Sequence, residues 1–461
     1  MENEPQAFGV NKQVILAVTT AASFLTPFMG SSINIALPSL GHEFGMSAVL
    51  LGWVAYAFIL AAAAVLVPVG KIADIWGRKR IFSIGFIIYT VSSFLCAVAG
   101  SPYSLISYRL LQGIAGAMIF GPSIAILTAA FPAGERGAAL GINVASVYIG
   151  LSAGPFIGGF LTEHFGWRSI FMINVPFGLI VLILILWKIK EEWVETKDER
   201  FDAPGGFLYV LALSSMMYGI SSLTRPLGVW LVMGGIVLII IFVFRERNVT
   251  NPVFDITRFR HNAAFVFSNL AALINYSATF AVSFLLSLYL QYIKGFNPVY
   301  TGAILVAQPV IQAVFSPFAG KLSDRIEPRV VASIGMGITS FGLGLLITIG
   351  KQTSVSFIIG VLFLLGLGFA LFSSPNTNAI MSSVEQRFYG VASGTLATMR
   401  LTGQMLSMGI VMLIMSVKIG DAPMTPEQYP SFMGSLHISL IILCLICFLG
   451  IFSSLARGKI H

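Results

Sequence analysis

The sequence is short of charge, of cysteine and of any stretch polar enough to stand alone in water. Only 10% of its 461 residues are charged and 56% are hydrophobic, against about a quarter charged in soluble domains. A soluble fold cannot hide that much apolar surface, so the medium around this chain is lipid. The three cysteines, Cys96, Cys444 and Cys447, all fall within apolar runs and give no disulfide framework. Cys444 and Cys447 share one helical face without a further ligand, so packing is read there and no metal site is expected. No glycine-rich loop stands between a strand and a helix, which argues against a bound nucleotide and against ATP as direct driver. No polar interval is long enough to fold alone, which argues against an appended sensor domain. Nor is a cleavable leader read at the start, because the short polar stretch Met1–Gln13 runs into a full-length apolar span. No enzyme cofactor is implied, since His, Cys and carboxylates do not cluster at membrane depth.

Fourteen apolar runs are long enough to cross a bilayer. They lie near 14–36, 49–69, 82–99, 103–130, 139–161, 168–187, 206–223, 227–244, 263–290, 299–320, 330–349, 354–380, 390–416 and 434–455. Those at 103–130 and 263–290 exceed one crossing and suggest tilted or interfacial turns. With the N-terminus inside, 20 of the 27 Lys and Arg fall in cytoplasmic segments and five outside, at Arg168, Arg225, Lys294, Lys351 and Lys418. That bias predicts a multi-pass protein of the plasma membrane with both termini cytoplasmic. The net charge of +8 then faces anionic lipid headgroups, and nucleic acid is not an expected partner because no basic arm stands clear. The long polar interval Lys188 to Asp202 and the basic segment Arg245 to His261 divide the runs. The predicted fold is all-α and polytopic, with two pseudo-symmetric six-helix bundles at 1–190 and 246–461. A cytoplasmic linker spans 191–204, and two central inserted helices occupy 205–245.

The densest chemistry is the run Gly70-Lys71-Ile72-Ala73-Asp74-Ile75-Trp76-Gly77-Arg78-Lys79-Arg80. It must sit at the membrane surface, and its glycines permit a tight turn between helices. A degenerate copy follows in the second half at Gly320-Lys321-Leu322-Ser323-Asp324-Arg325, with Arg329 beyond. A second echo pairs Gly113, Gly116 and Pro122 with Gly366, Gly368 and Pro375. Paired echoes in corresponding places mark internal repeats, whose interface is where such membrane proteins place a solute.

Arg109, in Leu105-Ile106-Ser107-Tyr108-Arg109-Leu110-Leu111-Gln112-Gly113, lies inside a span, as does Arg400. A cation at that depth needs a partner or a wet cavity, unless it snorkels to the interface near Ser101-Pro102. Gly150, Gly154 and Gly158 recur every four residues, with Pro155 and Gly159 beside them. Such a smooth stripe admits a closely packed neighbour. These four motifs together resemble the major facilitator superfamily, and within it the fourteen-span drug:proton antiporter branch, over essentially the whole chain. The runs Trp167–Gly178 and Phe201–Gly205 and the segment Asn34-Ile35-Ala36-Leu37-Pro38 are similar to marks of that branch.

The resemblance implies proton-coupled export of small hydrophobic or amphipathic solutes by alternating access. Gly70, Asp74, Gly77 and Arg78, with Asp324 and Arg325 in the second half, would gate the cytoplasmic side. Lys79 and Arg80 read as topology anchors. The span carrying Gly150, Gly154, Pro155, Gly158 and Gly159 looks like the antiporter signature, although such zippers also serve plain packing. Asn34, Arg109, Gln112, Gln308, Asn376 and Arg400 would line a coupling and substrate cavity, with Asn143, Asn174, Asn275, Gln312, Asn378 and Gln404 as further amides. One departure stands out: members of the branch usually carry an aspartate nine positions before the proline matching Pro38, and here that position is Met29. All 19 acidic residues fall in loops, termini or span ends. Two cations and many amides suit neutral, amphipathic or anionic solutes better than lipophilic cations. A uniporter or symporter of a neutral or anionic metabolite therefore stands beside the antiporter reading. Of the histidines, His42, His164 and His261 are expected in loops and His437 near the outer end of the last span.

Overall fold

Short polar residues start many of the helices. Ser47, Ser101, Asp202, Asn262, Asn297 and Ser354 each accept a hydrogen bond from the backbone N–H three residues on, satisfying a donor that no preceding turn can reach. The structure is a computed structural model. It describes residues 12–194, 199–250, 252–253, 262–385, 389–420 and 422–458, without the side chains of 133, 134 and 390. The helices are α1 (Lys12–Phe44), α2 (Ala48–Trp76), α3 (Arg78–Ala97), α4 (Pro102–Ala130), α5 (Ala133–Phe165), α6 (Arg168–Met172), α7 (Asn174–Lys188), α8 (Ala203–Ser221) and α9 (Pro226–Glu246). The second half follows as α10 (Ala263–Leu288), α11 (Pro298–Leu305), α12 (Ala307–Ser323), α13 (Pro328–Leu346), α14 (Val355–Ser382), α15 (Tyr389–Lys418) and α16 (Tyr429–Leu455). Among the described residues there is no strand, and one isolated bridge joins Ser47 to Pro423.

Among the described residues fourteen spans are long and apolar enough to cross a membrane. The sixth is α6 with α7, the ninth is α10 with a π turn at Tyr289–Ile293, and the tenth is α11 with α12. An even number of crossings returns the chain to the face it started from; that face is called here the terminal face, and the opposite one the far face. The run near 103–130 forms one continuous helix despite Pro122, and that near 263–290 gains its extra length from the π turn. His42 and His164 are not in loops: they occupy the last turns of α1 and α5. The backbone ladder outlasts the apolar run there, and His164 Nδ1 bonds the Phe160 carbonyl within its own helix at 3.0 Å. His261 lies outside the described residues.

Packing follows one plan twice. In the first half α1 lies on α5, α2 on α4, and α3 on both α4 and α7. In the second half α10 lies on α15, α12 on α14, and α13 on both α14 and α16. Two seams join the halves, α2 with α15 and α5 with α11 and α12, and these are each other's equivalents under the repeat. The inserted pair packs on itself and rests α8 against α2 and α15, where Tyr56 donates to the Met217 carbonyl at 3.1 Å. Burial reflects this order. In α2 78% of the core window is buried, in α9 only 17%, so α9 turns apolar side chains such as Trp230 and Phe244 to lipid.

Candidate functional site

The hinge at the terminal face begins where α2 ends. Gly77 sits at φ +111°, a conformation that L side chains rarely adopt, so α3 can start immediately after α2. One turn back, Asp74 Oδ1 accepts from Arg78 Nε at 2.8 Å. The linker after α7 returns to this point. Arg78 N–H donates to the Trp193 carbonyl at 2.9 Å, and Lys79 N–H donates to Glu192 Oε1 at 2.8 Å. A Cβ on Gly77 would stand 2.5 Å from the Glu192 carboxylate. Gly77 thus serves both the turn and the cap that Glu192 supplies to α3 from 113 residues away. Lys71 pairs with Glu199 further along the linker, and Asp202 accepts from Arg245 at 2.7 and 3.0 Å. That guanidinium holds the Asp202 carboxyl below the usual carboxylate range. Gly70 meets nothing within 4 Å. In the second copy Asp324 accepts from Asn378 at 3.1 Å, while Arg325 is exposed.

Arg109 lies within the first half and is 1% exposed. Its Nε donates to the Val54 carbonyl at 3.0 Å and its Nη1 to Gln112 Oε1 at 2.6 Å. Gln112 passes the network on to Ser93 Oγ at 2.8 Å, and the guanidinium stands 4.7 Å from the Phe58 ring centroid. Close approach of α2 and α4 makes this possible, because a Cβ on Gly113 would overlap the Phe58 carbonyl. Arg109 therefore ties three helices of one half together instead of reaching out to the interface.

The glycine stripe has two faces. Gly150, Gly154 and Gly158 seat α5 on α1, where added methyls would collide with Phe24, Ser31 and Ser32, and Ser32 Oγ donates to the Gly154 carbonyl at 3.0 Å. Asn143 locks the same pair, accepting from Ser23 at 2.9 Å and donating to the Thr19 carbonyl at 3.1 Å. Gly159 and Pro155 belong to the other face. A Cβ on Gly159 would lie 2.5 Å from the Pro298 carbonyl, and one on Gly302 would overlap the Pro155 carbonyl. That face joins the halves.

The other links between halves fall in the same region. Ser287 donates to the Asn34 carbonyl at 2.6 Å and Gln291 to the Ile35 carbonyl at 3.0 Å; among the described residues these are the side-chain hydrogen bonds that join the halves. The His42 and Tyr292 rings meet at a tilt of 40° with centroids 5.9 Å apart, a Cβ on Gly52 would stand 2.8 Å from Met412, and Ser47 pairs with Pro423. All of these lie toward the far face. Deeper toward the terminal face, Arg400 is half-buried in α15, Asn376 and Gln404 are buried and Gln308 is half-buried. Asn275 buries both amide atoms without a protein partner, and Asn376 does so with its oxygen. Asn174 turns inward to its own half, donating to the Ile170 carbonyl at 2.7 Å. Asn378 serves the second hinge. Sequence reading had missed Glu192 and Glu199, whose partners are remote along the chain, and Tyr276, one tyrosine among many aromatics. A groove of about 470 Å³ opens elsewhere, on the seam of α13 and α16 between Phe341 and Phe448.

A chain with this plan repeated in two halves invites comparison, and its sequence matches the profile of the Major Facilitator Superfamily over residues 19–408 and 268–457. The chain belongs to the major facilitator superfamily. It is 30% identical over 389 residues to the riboflavin transporter RibZ of Clostridioides difficile, covering 84% of this chain and 85% of the relative. It is 31% identical over 410 residues to the multidrug resistance protein Stp of Mycobacterium tuberculosis, covering 87% of this chain and 75% of the relative. With its fourteen spans and such relatives it falls in the fourteen-span, drug-transporter branch of the superfamily. The fold matches a bacterial homologue of the human lysosomal transporter Spinster, in an inward-facing and unoccupied conformation, at TM-score 0.71 and 17% identity over 97% of each chain.

Proposed function

We propose that this superfamily member is a secondary active transporter that exports small hydrophobic or amphipathic compounds by alternating access, against an inward flow of protons. The halves 1–190 and 246–461 rock about their shared seams, and the linker 191–204 and inserted helices 205–245 travel with them. The observation that carries the reading is the position of the links between halves, which cluster toward the far face while the hinges with their charges lie at the terminal face. The excess of Lys and Arg in terminal-face segments favours a cytoplasmic position for that face. In that orientation the outer end is shut and solute enters from the cytoplasm. Asp74 with Arg78, half-buried and one helical turn apart, and Asp324 in the second copy, act as the gate; ion pairs at this spacing on a helix contribute about 0.3–0.5 kcal/mol, small enough to open in each cycle. The relative named for multidrug resistance supports export.

Efflux of a hydrophobic dye from cells expressing wild type and Asp74→Asn tests the gate. Slower extrusion by the variant is expected; equal extrusion would count against it. A second reading, uniport or symport of a neutral or anionic metabolite, is favoured by Met29 and by the absence of carboxylates from the middle of the described spans. The relative named as a riboflavin transporter fits it too. Dissipating the pH gradient separates export from uniport, because uniport persists and proton-coupled export stops, and the direction in which solute moves with the gradient in place separates export from symport.

A further inference from the structure

Two arginines lie at membrane depth, and their surroundings differ. Arg109 donates to Val54 and Gln112, both within its own half. Arg400 is half-buried, has no carboxylate partner among the described residues, and carries its guanidinium 5.5 Å from the centroid of the Tyr276 ring. Tyr276 meets Phe369 edge-on, with centroids 5.4 Å apart and planes at 70°. A Cβ on Gly403 would stand 2.9 Å from Tyr276 Cβ, so this glycine draws α15 against α10 and brings Arg400 beside the ring. Counted along their helices, Arg400, Tyr276 and Phe369 lie about 16–20 Å from the terminal face, at about 1.5 Å per residue, near mid-depth in the second half.

A guanidinium at this depth is costly to leave without an anion, and an aromatic ring offsets only part of that. We propose that Arg400, Tyr276 and Phe369 form a binding site for a planar aromatic solute bearing an oxyanion such as a carboxylate. The oxyanion is held by the guanidinium, whose fork matches a carboxylate, and the ring system lies against the two aromatic side chains. The site rests on the transporter reading above and adds the chemical class of its cargo. It also assigns the two arginines separate tasks, Arg109 holding one half together and Arg400 meeting the solute.

The test uses the full-length protein in proteoliposomes and three probes: naphthoate, its uncharged analogue naphthylmethanol, and the cation ethidium. Equilibrium binding is measured for wild type, Arg400→Lys, Arg400→Gln and Phe369→Leu, with thermal melting to verify folding. Arg400→Gln is expected to weaken naphthoate by about tenfold or more, the scale of a lost charge-assisted bond, and to leave naphthylmethanol nearly unchanged. Arg400→Lys recovers part of the loss, and Phe369→Leu weakens both naphthalene probes. Naphthoate binding that is indifferent to Arg400→Gln overturns the site. Ethidium flux without naphthoate binding also overturns it, while leaving the transporter reading intact. Naphthoate binding that depends on Arg400, with no flux of any probe under a pH gradient, supports the site and counts against proton-driven transport.

Discussion

Adding one methyl group at Gly159 should favour the state in which the far face is open. In the structure a Cβ there would lie 2.5 Å from the Pro298 carbonyl, whereas comfortable contact needs ~1 Å more. The obstacle is backbone, so α5 and α11 must move apart. Overpacking of this kind costs about 1–3 kcal/mol, and only the conformation with these helices in contact bears it. A difference of that size shifts the ratio of the two states about 5- to 150-fold. Closure can be read by cross-linking. Ser47 and Pro423 form an antiparallel bridge, whose Cα separation of roughly 4.5–5.5 Å suits a disulfide. With cysteines at both positions and an oxidant present, Gly159→Ala should slow cross-linking in proportion to the lost closed population. Gly302→Ala should act likewise, since its Cβ would overlap the Pro155 carbonyl. Gly150→Ala collides with Phe24 inside one half, so it should lower thermal stability and leave the cross-linking rate unchanged. Cross-linking of Gly159→Ala at the wild-type rate would refute the reasoning.

Three further outcomes are expected. Arg109→Met removes the donors to Val54 and Gln112 and should lower stability by about 1–3 kcal/mol, visible as a depressed melting temperature in detergent; an unchanged melt would show that the network is dispensable. Asn143→Ala loses both of its links to α1 and should cost about 1 kcal/mol on the scale of interhelical bonds, with thermal unfolding of the purified protein as readout and no loss as the contrary result. Asp202 has its pKa lowered by Arg245, so its pairing is fully present above the ordinary carboxylate value and is lost only as pH falls through the lowered one. Protection of the linker from papain should therefore stay constant between about pH 8 and 5 in the wild type and drop in Asp202→Asn; protection that fades within that window would contradict the pairing.

The spans, their even number and the twofold plan were legible because lipid imposes one rule on every crossing: about twenty apolar residues with the backbone satisfied internally. The hinge was legible for the converse reason, since so many charges between two spans have only the surface to occupy. Helix ends were less so. His42 and His164 stand on turns that continue into water, where hydropathy stops reporting and backbone hydrogen bonding does not. The stripe at Gly150–Gly159 announced close packing but not its division into a face for α1 and a face for α11, which depends on how α5 is rotated. Glu192 was invisible as a cap, because nothing local connects it to α3. Arg109 and Arg400 looked alike as cations at depth; only the placement of Val54, Gln112 and Tyr276 around them separates a sealed network from a half-exposed charge.

Turnover of the Ser47→Cys, Pro423→Cys double variant in proteoliposomes, before oxidation, after it and after reduction again, tests most directly whether the far face must part in each cycle. Export should stop when the disulfide forms and return when it is reduced, with naphthoate binding from the terminal face retained throughout. Undiminished export by fully cross-linked protein would contradict alternating access between these two halves.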